Sequence, residues 1–215
     1  MEMKTTENKI KGGVYLVINP EMDEKQILSK LNTIIKQGIS AVQIWDNFKK
    51  GENTTDLINK IHSICAPAGV LLLINNRWEL LLDSNLDGVH FDEIPVSVEE
   101  IRSKVKKDII IGLTCGNKTD TIKWAAENDI DYISFCSMFP SKSAGNCEIV
   151  DHSTVRKARE IFKKPLFLAG GIYPENLKEL KELSFDGIAV ISGIMNSETP
   201  DTAIENYKNI LKEIK

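Results

Sequence analysis

The sequence predicts a single (β/α)₈ barrel, and three observations carry that prediction. Short β-rich apolar runs alternate with longer amphipathic segments eight times in 215 residues. The strand runs are nearly continuous in apolar residues instead of alternating cleanly, the pattern of parallel strands buried on both faces. A weak repeat, GISAVQI, NLDGVHF, DIDYISF and SFDGIAV, sets a small or acidic turn residue before every second strand. Eight units at this length suit a barrel at the small end of its range better than an open doubly wound sheet.

The strands are expected at Gly13–Ile18, Ser40–Trp45, Val70–Ile74, Asp87–His90, Asp108–Thr114, Asp131–Cys136, Pro165–Ala169 and Asp186–Ile191. Helices are expected at Glu24–Lys36, Thr54–Ala66, Arg77–Leu82, Val98–Val105, Lys118–Glu127, Ser153–Phe162, Pro174–Leu183 and Pro200–Ile214. Ser97 suits an N-cap, with Glu100 at the capping-box position. Pro174 suits a first helical turn, and Asp151, His152 and Ser153 offer caps after the long loop Phe139–Val150. No linker interrupts the pattern, so residues 13–215 read as one barrel and residues 1–12 as a flexible lead-in.

Composition bounds the function. Hydrophobic residues make up 42% and charged residues 27%, with a net charge of −4. That profile gives a soluble globular chain with no basic field for nucleic acid. The apolar runs VLLLI and DIIIGL are too short to span a bilayer, and MEMKTTENKIKGG carries no apolar signal region. A cytoplasmic location is the expectation. Cys65, Cys115, Cys136 and Cys147 lack paired spacing, which argues against a disulfide framework or a zinc site.

Active sites of such barrels lie at the C-terminal strand ends. Gln43, Trp45 and Asn47 follow strand two at alternate positions and are expected to face one space. Asn75 and Asn76 follow strand three, Asp92 and Glu93 strand four, and Thr114 strand five. Gly170-Gly171 and Ser192-Gly193 close strands seven and eight, where free backbone N–H groups suit a phosphate.

Taken in order, VQIWDN, LINNRWELLL, DGVHF with DEIPVS, IGLTCG, MFPSKS, LAGGI and GIAVISGIM resemble the thiamin phosphate synthase and thiazole tautomerase superfamily over Val14 to about Ile210. The resemblance implies coupling of hydroxymethylpyrimidine diphosphate to thiazole phosphate, with Mg²⁺ assisting pyrophosphate release. It implies a phosphorylated heterocycle as ligand and a homo-oligomer, since family members commonly associate. Gln43, Asn75, Gly170, Gly171, Ile191 and Ser192 match the family's binding residues. Thr114 replaces a serine and keeps its hydroxyl. Ser141 falls in the strand-six substrate loop.

Other positions depart from the family pattern. Trp45 stands where the family has arginine, and Asn47 where it has lysine. Asn76 replaces a metal-binding aspartate, and alignment on Pro95 puts Glu93 at the second metal carboxylate. The family's strand-six lysine falls on Ala144, with Lys142 two residues earlier. Gln43, Thr114 and Lys142 are the catalytic candidates, and Lys49 and Lys50 are further sources of charge. The tautomerase histidine would fall on Gly116. A weak synthase is therefore expected. The alternatives are a catalytically degenerate, regulatory barrel that binds thiazole phosphate or thiamin phosphate, and an isomerase of altered chemistry using Glu93, Cys115 or Cys136.

Overall fold

A computed structural model describes residues 9–49, 51, 53–141 and 148–215. The strands are β1 Gly13–Ile18, β2 Ala41–Ile44, β3 Leu71–Asn75, β4 Gly88–Phe91, β5 Ile110–Thr114, β6 Tyr132–Cys136, β7 Leu166–Ala169 and β8 Gly187–Val190. They pair in sequence order, all parallel, and β8 closes on β1. The helices are α1 Glu24–Ile34, α2 Thr54–Cys65, α3 Val98–Val105, α4 Thr119–Glu127, α5 His152–Ile161, α6 Pro174–Leu177, α7 Ser192–Met195 and α8 Pro200–Ile214.

Strand parity sorts the side chains. Val14, Leu16 and Ile18 of β1 face outward into the large core shared with the helices. Tyr15 and Val17 face inward, with Ala41, Leu73, Ile110, Tyr132, Phe167 and Ala189. The rings of Tyr15, Tyr132 and Phe167 meet edge to face, with centroids 5.5–5.9 Å apart. Gly112 makes room for this cluster, since a Cβ there would come within 2.2 Å of the Tyr132 ring. Ile10 is buried against the same interior group, so packing starts before β1.

The sequence repeat has a physical cause at the other end of the strands. Asp87, Asp131 and Asp186 each precede an even-numbered strand. Their carboxylates accept from the backbone N–H of Leu72, Ile111 and Leu166, each at 2.8 Å. Their own N–H groups donate to the carbonyl of the same residue. Ser40 holds the equivalent place before β2 and donates to Val14 O through its backbone and its hydroxyl. The repeated residue thus locks each odd strand to the next even one and fixes their register. Asp131 and Asp186 are also paired with Arg102 and Arg159. Replacing Asp186 by Ala would orphan the Leu166 N–H and take the carboxylate partner from Arg159, which would keep its bonds to the Ser184 and Lys164 carbonyls. Chemical denaturation of Asp186→Ala should show a loss of about 2 kcal/mol, within the range for unpaired buried polar groups.

Local signals explain most boundaries. Ser97 Oγ accepts from Glu100 N at 3.1 Å, so α3 begins as expected; the Glu100 carboxylate pairs with Lys104. Pro174 occupies the first turn of α6. The predicted helix Arg77–Leu82 is instead a short 3₁₀ segment, Trp78–Leu81, and the predicted Pro174–Leu183 helix passes into 3₁₀ geometry at Lys178–Leu180. Segments this short gain too few hydrogen bonds to enforce α geometry. The extra helix α7 was not anticipated.

Candidate active site

The C-terminal strand ends enclose a cavity of about 400 Å³. Its lining includes Gln43, Trp45, Asn75, Thr114, Gly170, Gly171, Ile191 and Ser192, all expected there from sequence. Glu93 also lines it. Asp92 lines it as well, at the strand-four end where the site is expected, and so does His90, the last residue of that expected strand; Tyr15 and Ser134 were not expected there. Strand parity could have found Tyr15 and Ser134. Tyr15 shares a face with Val17, and Ser134 lies between Tyr132 and Cys136 on the inward side of β6.

Asn47 leaves the cavity, which corrects the expectation that it shares a face with Gln43 and Trp45. Its N–H bonds to Trp45 O at 2.9 Å, closing a three-residue turn that breaks the strand alternation. The Asn47 amide then donates to Asn19 Oδ1 at 3.1 Å and Glu21 Oε2 at 3.0 Å. Ser141 is half-buried and is not among the lining residues. Lys49 is exposed and does not line the cavity either. Lys50 and Lys142 lie outside the described residues.

Asn76 also turns away from the cavity, its amide bound on both sides to Asp92. Asn76 Nδ2 donates to Asp92 Oδ2 at 2.8 Å, and Asn76 Oδ1 accepts from Asp92 N at 3.0 Å. Asn75 Nδ2 donates to the other oxygen, Asp92 Oδ1, at 3.1 Å. Asn76 sits at φ 57°, the left-handed region that asparagine tolerates better than most residues. The two asparagines therefore hold a carboxylate at the cavity wall. Asp46 lies nearby, 3.9 Å from Arg77. Partial burial raises the Asp46 pKa, Arg77 opposes the rise and the Asp92 charge adds to it.

Among the described lining residues there is no lysine or arginine. Among the described residues, no three His, Cys, Asp or Glu side chains converge as a metal site. Mg²⁺ needs less than that, since one or two carboxylates plus substrate phosphate oxygens and water suffice. Asp92 and Glu93 fit such a part.

At the other side, Gly170 and Gly171 have φ of 84° and 67°. A Cβ on Gly171 would lie 2.6 Å from Phe139 O and 2.8 Å from Pro140 O. The glycines let the strand-six loop run against β7, where Phe139 N bonds Gly170 O at 3.0 Å. Asn176 holds this turn by accepting from Tyr173 N and donating to Gly171 O, both at 2.8 Å. Ser192 Oγ and Tyr173 OH are 3.1 Å apart at the rim.

Cys115 is fully buried, and burial pushes its thiol up to about 12. A thiol so hard to ionise is a poor nucleophile. Cys136 does line the cavity.

The sequence model of the family described as thiamine monophosphate synthase matches residues 14–194. The chain belongs to this family. A thiamine-phosphate synthase of Methanobrevibacter smithii is 31% identical over 211 residues, covering 97% of this chain and 98% of the relative. A thiamine-phosphate synthase of Clostridium perfringens is 29% identical over 96% of this chain and 99% of the relative. Among solved structures, the thiamine phosphate pyrophosphorylase from Pyrococcus furiosus superposes with a TM-score of 0.80 at 22% identity, covering 96% of this chain and 98% of that one. The likeness to the Pyrococcus structure establishes the fold. The sequence relatives support a role in thiamin biosynthesis. In this chain the glycine pair, Ser192 and Trp45 all line the cavity.

Proposed function

We propose that this cavity joins a hydroxymethylpyrimidine diphosphate to a thiazole phosphate, releases pyrophosphate, and turns over slowly. The observation that carries this reading is the convergence of motif-matching residues from five strands on one cavity. The bond between the pyrimidine methylene carbon and the diphosphate oxygen breaks, and its electron pair leaves with pyrophosphate. The thiazole nitrogen lone pair then forms the new C–N bond to the methylene cation. The Gly170–Gly171 turn and Ser192 hold the thiazole phosphate through backbone N–H groups and a hydroxyl. Gln43, Asn75 and Thr114 position the heterocycles. Asp92 and Glu93 would hold Mg²⁺, which supplies charge neutralisation at the departing pyrophosphate.

The slow rate follows from the wall beside Gln43. Charge develops on the leaving group, and each preorganised partner removed from such a site costs about 10²–10³-fold in rate. Trp45 offers no charge there, and Asn47 is tied to Asn19 and Glu21. The same neutral wall favours a second reading, a barrel that binds the phosphorylated heterocycle without turnover. Incubation with both substrates and Mg²⁺, followed by mass spectrometry for thiamin phosphate, separates the two. Product that depends on both substrates supports the synthase. Binding of thiazole phosphate with no product over hours selects the binding protein.

A further inference from the structure

Along the floor of the cavity a hydrogen-bond chain joins Gln43 to Thr114 through Tyr15, Tyr132 and His90, which the reaction above does not use. Tyr15 OH donates to Gln43 Oε1. Tyr15 OH and Tyr132 OH are 2.9 Å apart, Tyr132 OH and His90 Nδ1 are 2.9 Å apart, and His90 Nε2 is 2.9 Å from Thr114 Oγ1. Ser134 Oγ lies 3.4 Å from the same nitrogen. Tyr15, Gln43, Tyr132 and His90 are buried.

Proton counting gives the chain a direction. Burial raises both tyrosine pKa values, so each hydroxyl keeps its single proton. His90 is buried and its ring nitrogens meet only hydroxyl oxygens among the described residues; a buried imidazole with no carboxylate partner stays neutral and has one N–H. The Tyr15 proton is spent on Gln43. Tyr15 oxygen then accepts from Tyr132, Tyr132 oxygen accepts from His90 Nδ1–H, and His90 Nε2 accepts from the hydroxyl of Thr114 or Ser134. Every link uses one proton, so no single link can reverse alone. Turning the Gln43 amide over would require the opposite histidine tautomer and a turned Thr114 hydroxyl.

We propose that His90 is a positioning residue for Gln43, acting through Tyr132 and Tyr15 to keep the amide nitrogen of Gln43 as the donor offered to the ligand. Gln43 Nε2 has no hydrogen bond to a described residue, whereas Oε1 is engaged by Tyr15. The floor therefore selects a heterocycle that places a hydrogen-bond acceptor, such as a ring nitrogen, against Gln43. It couples that choice to the hydroxyl polarity at Thr114, the far end of the chain. The ligand half of this inference rests on the synthase reading; the tautomer half stands on its own.

The test is ¹⁵N NMR of the histidine-labelled protein at pH 6–8, with the His90 signals assigned by their loss in His90→Gln. The expected result is the Nδ1–H tautomer at His90. Tyr132→Phe removes one hydroxyl outside the cavity lining. It should shift His90 towards the Nε2–H tautomer and move the side-chain amide signals of Gln43, which is joined to Tyr132 only through the Tyr15 hydroxyl in this chain. The variant should also bind hydroxymethylpyrimidine about tenfold more weakly, as measured by calorimetry. A purely structural Tyr132 would leave the tautomer and the Gln43 signals in place. An Nε2–H tautomer in the unmodified protein, or unmoved Gln43 signals in Tyr132→Phe, overturns the proposal. If Tyr132→Phe does not fold, the tautomer of the unmodified protein still decides. The expected tautomer without any binding of hydroxymethylpyrimidine would overturn the ligand assignment while leaving the directed chain intact.

Discussion

Trp45→Arg should raise the rate of pyrophosphate release by about 10²-fold at saturating substrate. The indole lines the cavity next to Gln43 and packs against the inner cluster of the barrel. An arginine in that place would bring a cationic fork of N–H donors to a cavity with no lysine or arginine among its described lining residues. The size follows from the cost of removing one such donor from a desolvated site, about 2.7–4 kcal/mol. The gain should appear in kcat, because pyrophosphate charge develops as the bond breaks, while KM for thiazole phosphate at the glycine end stays within about twofold. Steady-state kinetics with each substrate varied in turn measures both. A variant slower than the parent would mean the indole is itself used, stacking on the heterocycle.

Gly171→Ala should do the opposite and remove activity almost entirely. At φ 67° a side chain is strained, and its Cβ would press on Phe139 O, Phe139 Cβ and Pro140 O, all within 2.8 Å. Backbone carbonyls cannot swing aside as a side chain does. The strand-six loop must therefore move from β7 and take the phosphate turn with it. A displacement of about 1 Å at a reacting centre costs roughly 10²-fold. The variant should remain folded by circular dichroism, lose measurable affinity for thiazole phosphate, and release pyrophosphate at least 10²-fold more slowly. Unchanged thiazole phosphate affinity would place the phosphate elsewhere in the cavity.

The barrel was legible because its signals are local and repeated. The acidic residue before each even strand from β4 onward reads as a turn in the sequence, and in the structure it locks paired strands. The glycine end was legible for a similar reason: Gly170 and Gly171 need left-handed backbone that few residues adopt. The wall beside Gln43 was only half legible. Strand alternation places Trp45 correctly, but the turn closed by Asn47 N on Trp45 O turns Asn47 out, and no composition signal announces it. The clamp of Asn75 and Asn76 on Asp92 was hidden as well. It joins two loops about sixteen residues apart through side-chain amides, and alignment on Pro95 had drawn attention to Glu93 instead. The buried chain through His90 depends on strand neighbours that only the closed register brings together, with His90 beside Gly112 and Gly112 beside Tyr132.

The most direct measurement is the rate of pyrophosphate release by the unmodified protein given pyrimidine diphosphate, thiazole phosphate and Mg²⁺, run beside Trp45→Arg. The expected result is release that requires thiazole phosphate and is about 10²-fold slower than in the variant. Release by the unmodified protein as fast as by the variant, or none above a heat-killed control from protein shown to be folded, would contradict the account of a synthase slowed by its neutral wall.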